Sequence, residues 1–342
     1  MARPCCAESS GQRNESRRGL YPGDGCMRAL VTRLRPDKRR EKVLVSDWPA
    51  PQGPTGNQVK SRTIYSGITN GTEHNDLVGG NYAHPDDALP AGWGYQHVGR
   101  VIETGPDVTQ LAVGDLVYIN ADHKEYVVTR EDGLLIKLPE DVDPRQAALF
   151  GMSSVAMRSC RHAELRMGER VLVVGQGFIG QMAAQIASVM GARVAVCEID
   201  PRRLELARRI GAAEAVFDVT GDGWEKHIAA GAFDAVIDVA GVEGMEDRLI
   251  RALKSRGRLL LIGGRFKVNY TFNLGQAHEL TIRQNTGYDR DDLANLCRLI
   301  RRGLVDIAPL LQDVVPVTEA RRVYDTLRDA PHELSGTVFI WE

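Results

Sequence analysis

Between Val171 and Gly180 the chain reads VLVVGQGFIG, and this stretch restricts the fold more than any other. Val171–Val174 is a short apolar, β-branched run, as a strand buried on both faces requires. Gly175, Gly177 and Gly180 then form G-x-G-x-x-G. The first glycine allows a tight turn, the second lets the backbone approach a pyrophosphate, and the third seats a helix close to the strand. Ile179, Met182, Ala183, Ile186, Ala187 and Met190 recur at helical spacing, and Gly191 provides a stop. Phe178 and Ile179 open this helix, whose free N–H groups and positive dipole end suit phosphate. A second apolar run, Val194–Cys197, ends in Glu198, at the offset where a carboxylate meets an adenosine ribose. Strand, glycines, helix, strand and acid in this order predict a dinucleotide site. A carboxylate there repels a 2′-phosphate, so NAD is expected and NADP less so. Arg202 and Arg203 follow closely and leave the other reading open, either as phosphate contacts or as the exposed face of a helix.

With 342 residues the chain suits more than one domain. A net charge of −2 gives no reason to expect nucleic acid or an anionic membrane as partner, and no apolar run is long enough to span a bilayer. The six cysteines never form C-x-x-C, and three of them fall in the first 26 residues. This supports neither a disulfide framework nor a four-cysteine zinc lobe, and a reducing cytoplasm is the expected setting. Residues 1–26 are polar and aperiodic and read as a disordered tail, with Met27 opening the first strand.

Residues 27–148 carry short β signals broken by turns, including Lys42–Ser46, Val59–Ser66, Val98–Thr104, Asp115–Asn120 and Glu125–Thr129. This predicts a barrel-like β domain. Residues 149–286 alternate strands and helices, which predicts a doubly wound parallel sheet, hence an α/β protein overall. Gly241 and the Gly263-Gly264 pair fall at strand ends, where the second half of a dinucleotide passes. Residues 287–342 hold two helical patterns, Asp291–Arg302 and Thr318–Arg328. A final strand, Gly336–Ile340, is expected to return to the first domain. Lys267–Phe272 alternates apolar and polar residues and reads as a strand beside Glu279–Gln284. An open edge there predicts a homodimer.

The order of domains, together with GPDVTQLAVGDLV (Gly105–Val117), resembles the medium-chain dehydrogenase/reductase superfamily, which includes the zinc alcohol dehydrogenases. The resemblance covers about residues 27–342 and implies a GroES-like catalytic domain, a Rossmann domain and an active site between them. The zinc ligands depart from the pattern. Where zinc members carry G-I-C-G-T-D, this chain has Gly67-Ile68-Thr69-Asn70-Gly71-Thr72-Glu73, without the cysteine and with one residue inserted. The family's G-H-E reads Gly94-Tyr95-Gln96, and the third ligand position falls near Met152. Threonine, tyrosine and a thioether do not replace thiolate and imidazole around zinc, so no zinc is expected. The Ser66–Glu73 variant looks like the bacteriochlorophyllide hydroxyethyl dehydrogenase-like subgroup.

Without a metal, side chains must handle the proton that accompanies hydride transfer. Thr72 matches the family's relay hydroxyl, or serves as a plain turn hydroxyl. Tyr95 either donates from its phenol or fills the space that zinc leaves. Gln96 is a candidate for orienting substrate. His123 is a candidate acid/base near the cleft. Glu73 is expected to bond structurally. A metal site built from His74, His84, His97 and His123 is disfavoured by their irregular spacing. The expected function is zinc-independent hydride transfer between a nicotinamide cofactor and a small alcohol or carbonyl compound. An NADPH-dependent enone or quinone reductase and a non-catalytic dinucleotide binder are the alternatives.

Overall fold

The computed structural model describes residues 25–342, so almost all of the expected tail, 1–26, lies outside the described residues. The chain's centre is a six-stranded sheet ordered Ala215–Asp218, Arg193–Glu198, Arg170–Val174, Phe233–Asp238, Leu253–Leu261, Thr281–Gln284. Every neighbouring pair in it is parallel. Both faces are covered, which explains the continuous apolar strands. Val171 and Val173 pack with Met182, Ala183 and Ile186 of the helix Phe178–Val189. Leu172 and Val174 point the other way, toward Trp224 and Leu249. Strand order reverses between Arg170–Val174 and its neighbour Phe233–Asp238. The carboxyl ends there open the crevice in which such sheets bind ligands.

The second body is a seven-stranded sheet running Asp313–Pro316, Thr337–Ile340, Gln58–Gly67, His97–Thr104, Leu116–Ile119, Leu135–Lys137, with Tyr126–Arg130 also paired to Gln58–Gly67. A three-stranded sheet, Arg40–Pro49, Cys26–Leu34 and Ala91–Gly92, completes it. The last strand pairs antiparallel with Gln58–Gly67, so the C-terminus does come back to the first domain. The return begins later than residue 287. The helix Arg290–Arg301 buries Leu293, Leu296 and Leu299 in the same core as the linking helix Phe150–His162. Arg158 of that linking helix reaches Asp289 at 2.7 Å and Asp292 at 3.0 Å.

Lys267–Phe272 is not a strand. Asp247 accepts from Thr271 N at 2.7 Å and Thr271 Oγ1 at 2.6 Å. These bonds turn the backbone into a short helix, Phe272–Ala277, so side chain–backbone bonding overrides the alternation. Val268 still packs inward, while Phe266, Tyr270 and Phe272 are exposed. Among the described residues no helix is long and apolar enough to cross a membrane.

Two strand ends meet at Gly241 and Gly263. Asp238 accepts from Ala240 N at 3.0 Å and Gly241 N at 3.2 Å. Arg265 pairs with Asp238, and with Glu246 at 3.2 Å. A methyl group on Gly263 would overlap the Gly241 backbone. Gly263→Ala should therefore destabilise the fold by about 1–3 kcal/mol, measured as a lower melting temperature. An unchanged melting temperature would show that the two loops shift freely.

Candidate active site

A cleft of about 570 Å³ runs from the end of the second sheet strand, past the glycine loop, to the catalytic domain. Gly175 turns with φ +89°, and a methyl group on Gly180 would overlap its carbonyl oxygen, so helix and strand touch here. Gly177 caps the helix and leaves open space on the cleft side; the nearest atom to an added methyl is Arg203 Nη1 at 3.9 Å. Phe178, Ile179 and Gly180 line the cleft with Glu198 and Arg203. Glu198 Oε2 accepts from Gln176 N at 2.7 Å, and Oε1 from Ile199 N at 2.7 Å and Asp200 N at 3.1 Å. Arg203 stands 3.7 Å from Glu198, and Arg202 pairs with Asp200 at 3.0 Å. Arg202 is thus hydrogen-bonded to a carboxylate, whereas Arg203 only approaches one and keeps its guanidinium at the cleft. At the other strand ends Ala240 and Val242 line the cleft. Gly241 and Gly263, expected there, are pressed against each other behind that wall, which needs their lack of side chains for packing.

The catalytic domain presents Asn70, Gly71 and Met152 to the cleft. Behind them lies a sealed polar network centred on Glu73. Its Oε2 accepts from Lys42 Nζ and from Tyr324 Oη, both at 2.6 Å. Its Oε1 accepts from Thr69 N at 2.7 Å and Thr69 Oγ1 at 2.9 Å, and lies 3.1 Å from His123 Nε2. Burial alone would raise the Glu73 carboxyl, but Lys42 and His123 outweigh it and hold the group well below the usual carboxylate range. Lys42 also lies 4.9 Å from the Tyr324 ring centre. Ser66 Oγ closes the network, 2.7 Å from His123 Nδ1 and accepting from Trp341 Nε1 at 2.8 Å.

These bonds relocate two of the candidates. The His123 side chain has no solvent exposure, and both ring nitrogens are occupied, so it buttresses the site from within rather than lining the cleft. Gln96 is equally buried. It donates to Ile68 O at 3.2 Å and accepts from Met152 N at 3.0 Å, which ties the Thr69 loop to the linking helix. Its amide is consumed by backbone and is not free to orient a substrate.

Thr72 and Tyr95 are brought together. Both are half-buried, and the Thr72 side chain is near enough to act on the Tyr95 phenol. Burial raises the Tyr95 phenol, Thr72 opposes this weakly, and the Glu73 charge adds to it, so the group stays protonated far into alkaline pH. Tyr118 Oη donates to Tyr95 O at 2.8 Å and lies 2.6 Å from Tyr288 Oη, fixing the Tyr95 backbone. The residue facing Tyr95 from the linking helix is Gly151: a methyl group there would stand 2.8 Å from Tyr95 Cδ2 and 2.5 Å from Tyr118 Oη. The phenol ring occupies the volume that a side chain at position 151 would need.

The donor set does not fit zinc. Thr69 Oγ1 is spent on Glu73, Met152 offers only a thioether, and burial keeps the Tyr95 phenol protonated. The four histidines are dispersed. His84 bonds Asp76 at 3.2 Å. His97 sits between Ser61 and Thr63, both at 3.0 Å, with burial pushing its ring down to about 3. Among the described residues no group of three or more His, Cys, Asp or Glu is placed to hold a metal ion. Sequence reasoning missed Asn70, Lys42, Tyr118 and Tyr288. Lys42 was readable only as part of a strand, and nothing local marks the tyrosines, since their partners are far away in the chain.

The zinc-binding dehydrogenase family matches residues 179–302. L-threonine 3-dehydrogenase of Cutibacterium acnes is 28% identical over 87% of this chain and 95% of its own length. A probable D-xylulose reductase A of Aspergillus clavatus is 27% identical over 84% and 91% respectively. The crystal structure of an alcohol dehydrogenase, rspB from Escherichia coli CFT073, solved with NADH, shares the fold with a TM-score of 0.78 at 17% identity, over 93% of this chain and all of that one. These likenesses support the medium-chain dehydrogenase/reductase superfamily. The chain is therefore an oxidoreductase of the nicotinamide-dinucleotide class, with a Rossmann domain and a GroES-like domain.

Lys42 and Glu73 are both sealed from water, and removing one partner leaves the other charge uncompensated. Lys42→Met should cost about 3–5 kcal/mol, read from denaturant unfolding. The pair's contribution should be full above the ordinary glutamate range and vanish as pH falls through the lowered Glu73 value. A Lys42→Met protein as stable as the parent would mean the pair is not closed in solution.

Proposed function

We propose that this protein is a zinc-independent, NAD-preferring dehydrogenase that interconverts a secondary alcohol and its ketone, with Tyr95 as the proton donor to the carbonyl oxygen. The observation that carries the reading is the half-buried Tyr95 phenol at a lost ligand position, packed against Gly151 with Thr72 beside it. A phenol held protonated is a hydrogen-bond donor, and its proton can pass to an oxygen that gains charge as the carbonyl carbon is reduced. Thr72 keeps the phenol oriented. When bound, the dinucleotide supplies or accepts the hydride; Gly175–Gly180 and Glu198 would hold its pyrophosphate and adenosine ribose.

The choice of substrate class rests on chemistry shared by three likenesses. The 3-hydroxyl of L-threonine, the alcohol formed from D-xylulose and a hydroxyethyl group are all secondary alcohols. The last belongs to the bacteriochlorophyllide hydroxyethyl dehydrogenase-like subgroup that Ser66–Glu73 resembles. The Glu198 carboxylate and the pairing of Arg202 with Asp200 favour NAD over NADP, with Arg203 at the cleft as the residue that argues the other way. The free, buried thiols of Cys160, Cys197 and Cys297 suit a reducing cytoplasm. The exposed edge strand Thr281–Gln284, with Phe266, Tyr270 and Phe272 nearby, suits a homodimer. Light scattering at micromolar concentration should then give twice the chain mass; a monomer would reject this.

The decisive experiment is turnover of sorbitol, L-threonine and 2,3-butanediol with NAD and with NADP, on protein whose zinc content is measured. Expected are oxidation with NAD, less than one zinc per ten chains on the order of contaminant levels, and a loss of about 10²–10⁴-fold in kcat for Tyr95→Phe. Ketone reduction should be flat across neutral pH, because the raised phenol does not titrate there. A neutral-pH inflection in that rate would move the acid to another group. NADH binding without turnover of any hydroxyl or carbonyl compound would favour the non-catalytic reading, and NADPH-dependent reduction of enones would favour the quinone reductase class.

A further inference from the structure

Tyr95 sits outside regular structure, between the short strand Ala91–Gly92 and the strand His97–Thr104. Gly94, just before it, turns with φ +109°, and a methyl group there would stand 2.6 Å from the His123 ring. Neither a helix nor a strand sets the direction of the phenol, so the backbone polar groups here must find other partners.

Two hydroxyls converge on the Tyr95 carbonyl oxygen. Tyr118 Oη donates to it at 2.8 Å, and Tyr288 Oη lies 3.3 Å from the same atom. The two hydroxyls are 2.6 Å apart. Each phenol has one proton to give. The shorter bond to Tyr95 takes that of Tyr118, so Tyr288 donates to Tyr118. Asn120 Nδ2 in turn donates to Tyr288 Oη at 3.1 Å. The result is a chain with one direction, from Asn120 through Tyr288 and Tyr118 to Tyr95, in which each bond strengthens the next. Both tyrosines are buried, so water does not take over the bond between them.

Tyr288 does not come from the catalytic domain. It lies in the link between Thr281–Gln284, the edge strand of the six-stranded sheet, and the helix Arg290–Arg301. The next residue, Asp289, closes a capping box on that helix and pairs with Arg158 of the linking helix. The same linking helix presents Gly151 to the Tyr95 ring. Tyr95 is thus held at its ring and at its carbonyl by elements that share their core with the six-stranded sheet.

We propose that Tyr288 is a positioning residue, which through Tyr118 fixes the Tyr95 phenol relative to the nucleotide-binding sheet. Proton donor and hydride site are then referred to one body, although Tyr95 itself belongs to the other. This rests on the reading of Tyr95 as the proton donor.

The test is steady-state oxidation of sorbitol, L-threonine and 2,3-butanediol with NAD by the parent, Tyr288→Phe, Tyr95→Phe and the double variant. Tyr288→Phe should lower kcat about 3- to 30-fold and leave the KM for NAD unchanged. In the Tyr95→Phe background the same change should have no further effect, because the group it orients is gone. A parent-like kcat in Tyr288→Phe, a loss that appears in the KM for NAD instead, or losses that multiply in the double variant mark a residue that only stabilises the fold, and each overturns the proposal. If Tyr288→Phe does not fold, Asn120→Ala removes the exposed end of the chain without opening the core. It should lower kcat about 2- to 5-fold in the parent and not at all beside Tyr95→Phe; a parent-like kcat there overturns the proposal. If Tyr95→Phe keeps the parent's kcat, or the parent oxidises none of the three alcohols, the reading of Tyr95 has failed and the proposal falls with it. If Tyr95→Phe is slow and Tyr288→Phe is not, the proposal alone has failed.

Discussion

A single carboxylate, Glu73, joins parts of the chain that are far apart in sequence. Lys42 comes from the three-stranded sheet, His123 from the loop before the strand Tyr126–Arg130, Tyr324 from the helix Ala320–Asp329, and Thr69 from the turn that carries the catalytic candidates. A buried ion is tolerable only when its lone pairs are met and its charge is balanced, and here both conditions hold. The arrangement of Asn70, Gly71 and Thr72 follows from it, because Glu73 is their neighbour on the same helix and is anchored from four directions. The site is therefore held by hydrogen bonds and one ion pair. The chain gathers these loops around a fixed negative charge that is sealed from solvent.

The nucleotide-binding half was largely legible in advance because its constraints are local. Apolar runs buried on both faces, glycines that must touch backbone, and an acid at a strand end all lie within a few residues of what they act on. Gly180 against Gly175 is such a case, and the strands and helices around it stand close to where the pattern puts them. Lys267–Phe272 was misread for a complementary reason: a distant aspartate, Asp247, captured Thr271 and bent a segment whose alternation looked like a strand. The return of the C-terminal strand could be anticipated by counting strands, whereas the helix Arg290–Arg301 stays with the linking helix because of packing that no local pattern encodes.

The catalytic half was legible in residue type but not in role. Thr72 was readable as a relay hydroxyl and Tyr95 as the residue at a lost ligand position, and the fold leaves both half-buried. His123 and Gln96 have the same chemistry on paper, yet every polar atom of their side chains that could act is engaged within the protein. Burial and partner count separate a working group from a brace, and both are properties of the folded state. Gly151 makes the same point from the opposite direction, since its contribution is an absence that only the position of Tyr95 reveals.

The tyrosine pair behind Tyr95 bears on how the two bodies are joined. Tyr118 and Tyr288 join them through buried hydroxyls, with Asn120 Nδ2 donating to Tyr288 Oη at 3.1 Å. Across the cleft the contact is wet: Asn81 Nδ2 reaches Arg265 O at 3.3 Å, and the half-exposed ring of Tyr82 rests over Gly264. Water replaces an exposed hydrogen bond at little cost, whereas a buried one has no substitute. The two bodies are thus joined by a buried, hydrogen-bonded contact at Tyr118 and Tyr288 and by a solvent-exposed one at Asn81 and Tyr82, so water competes for the second far more readily than for the first.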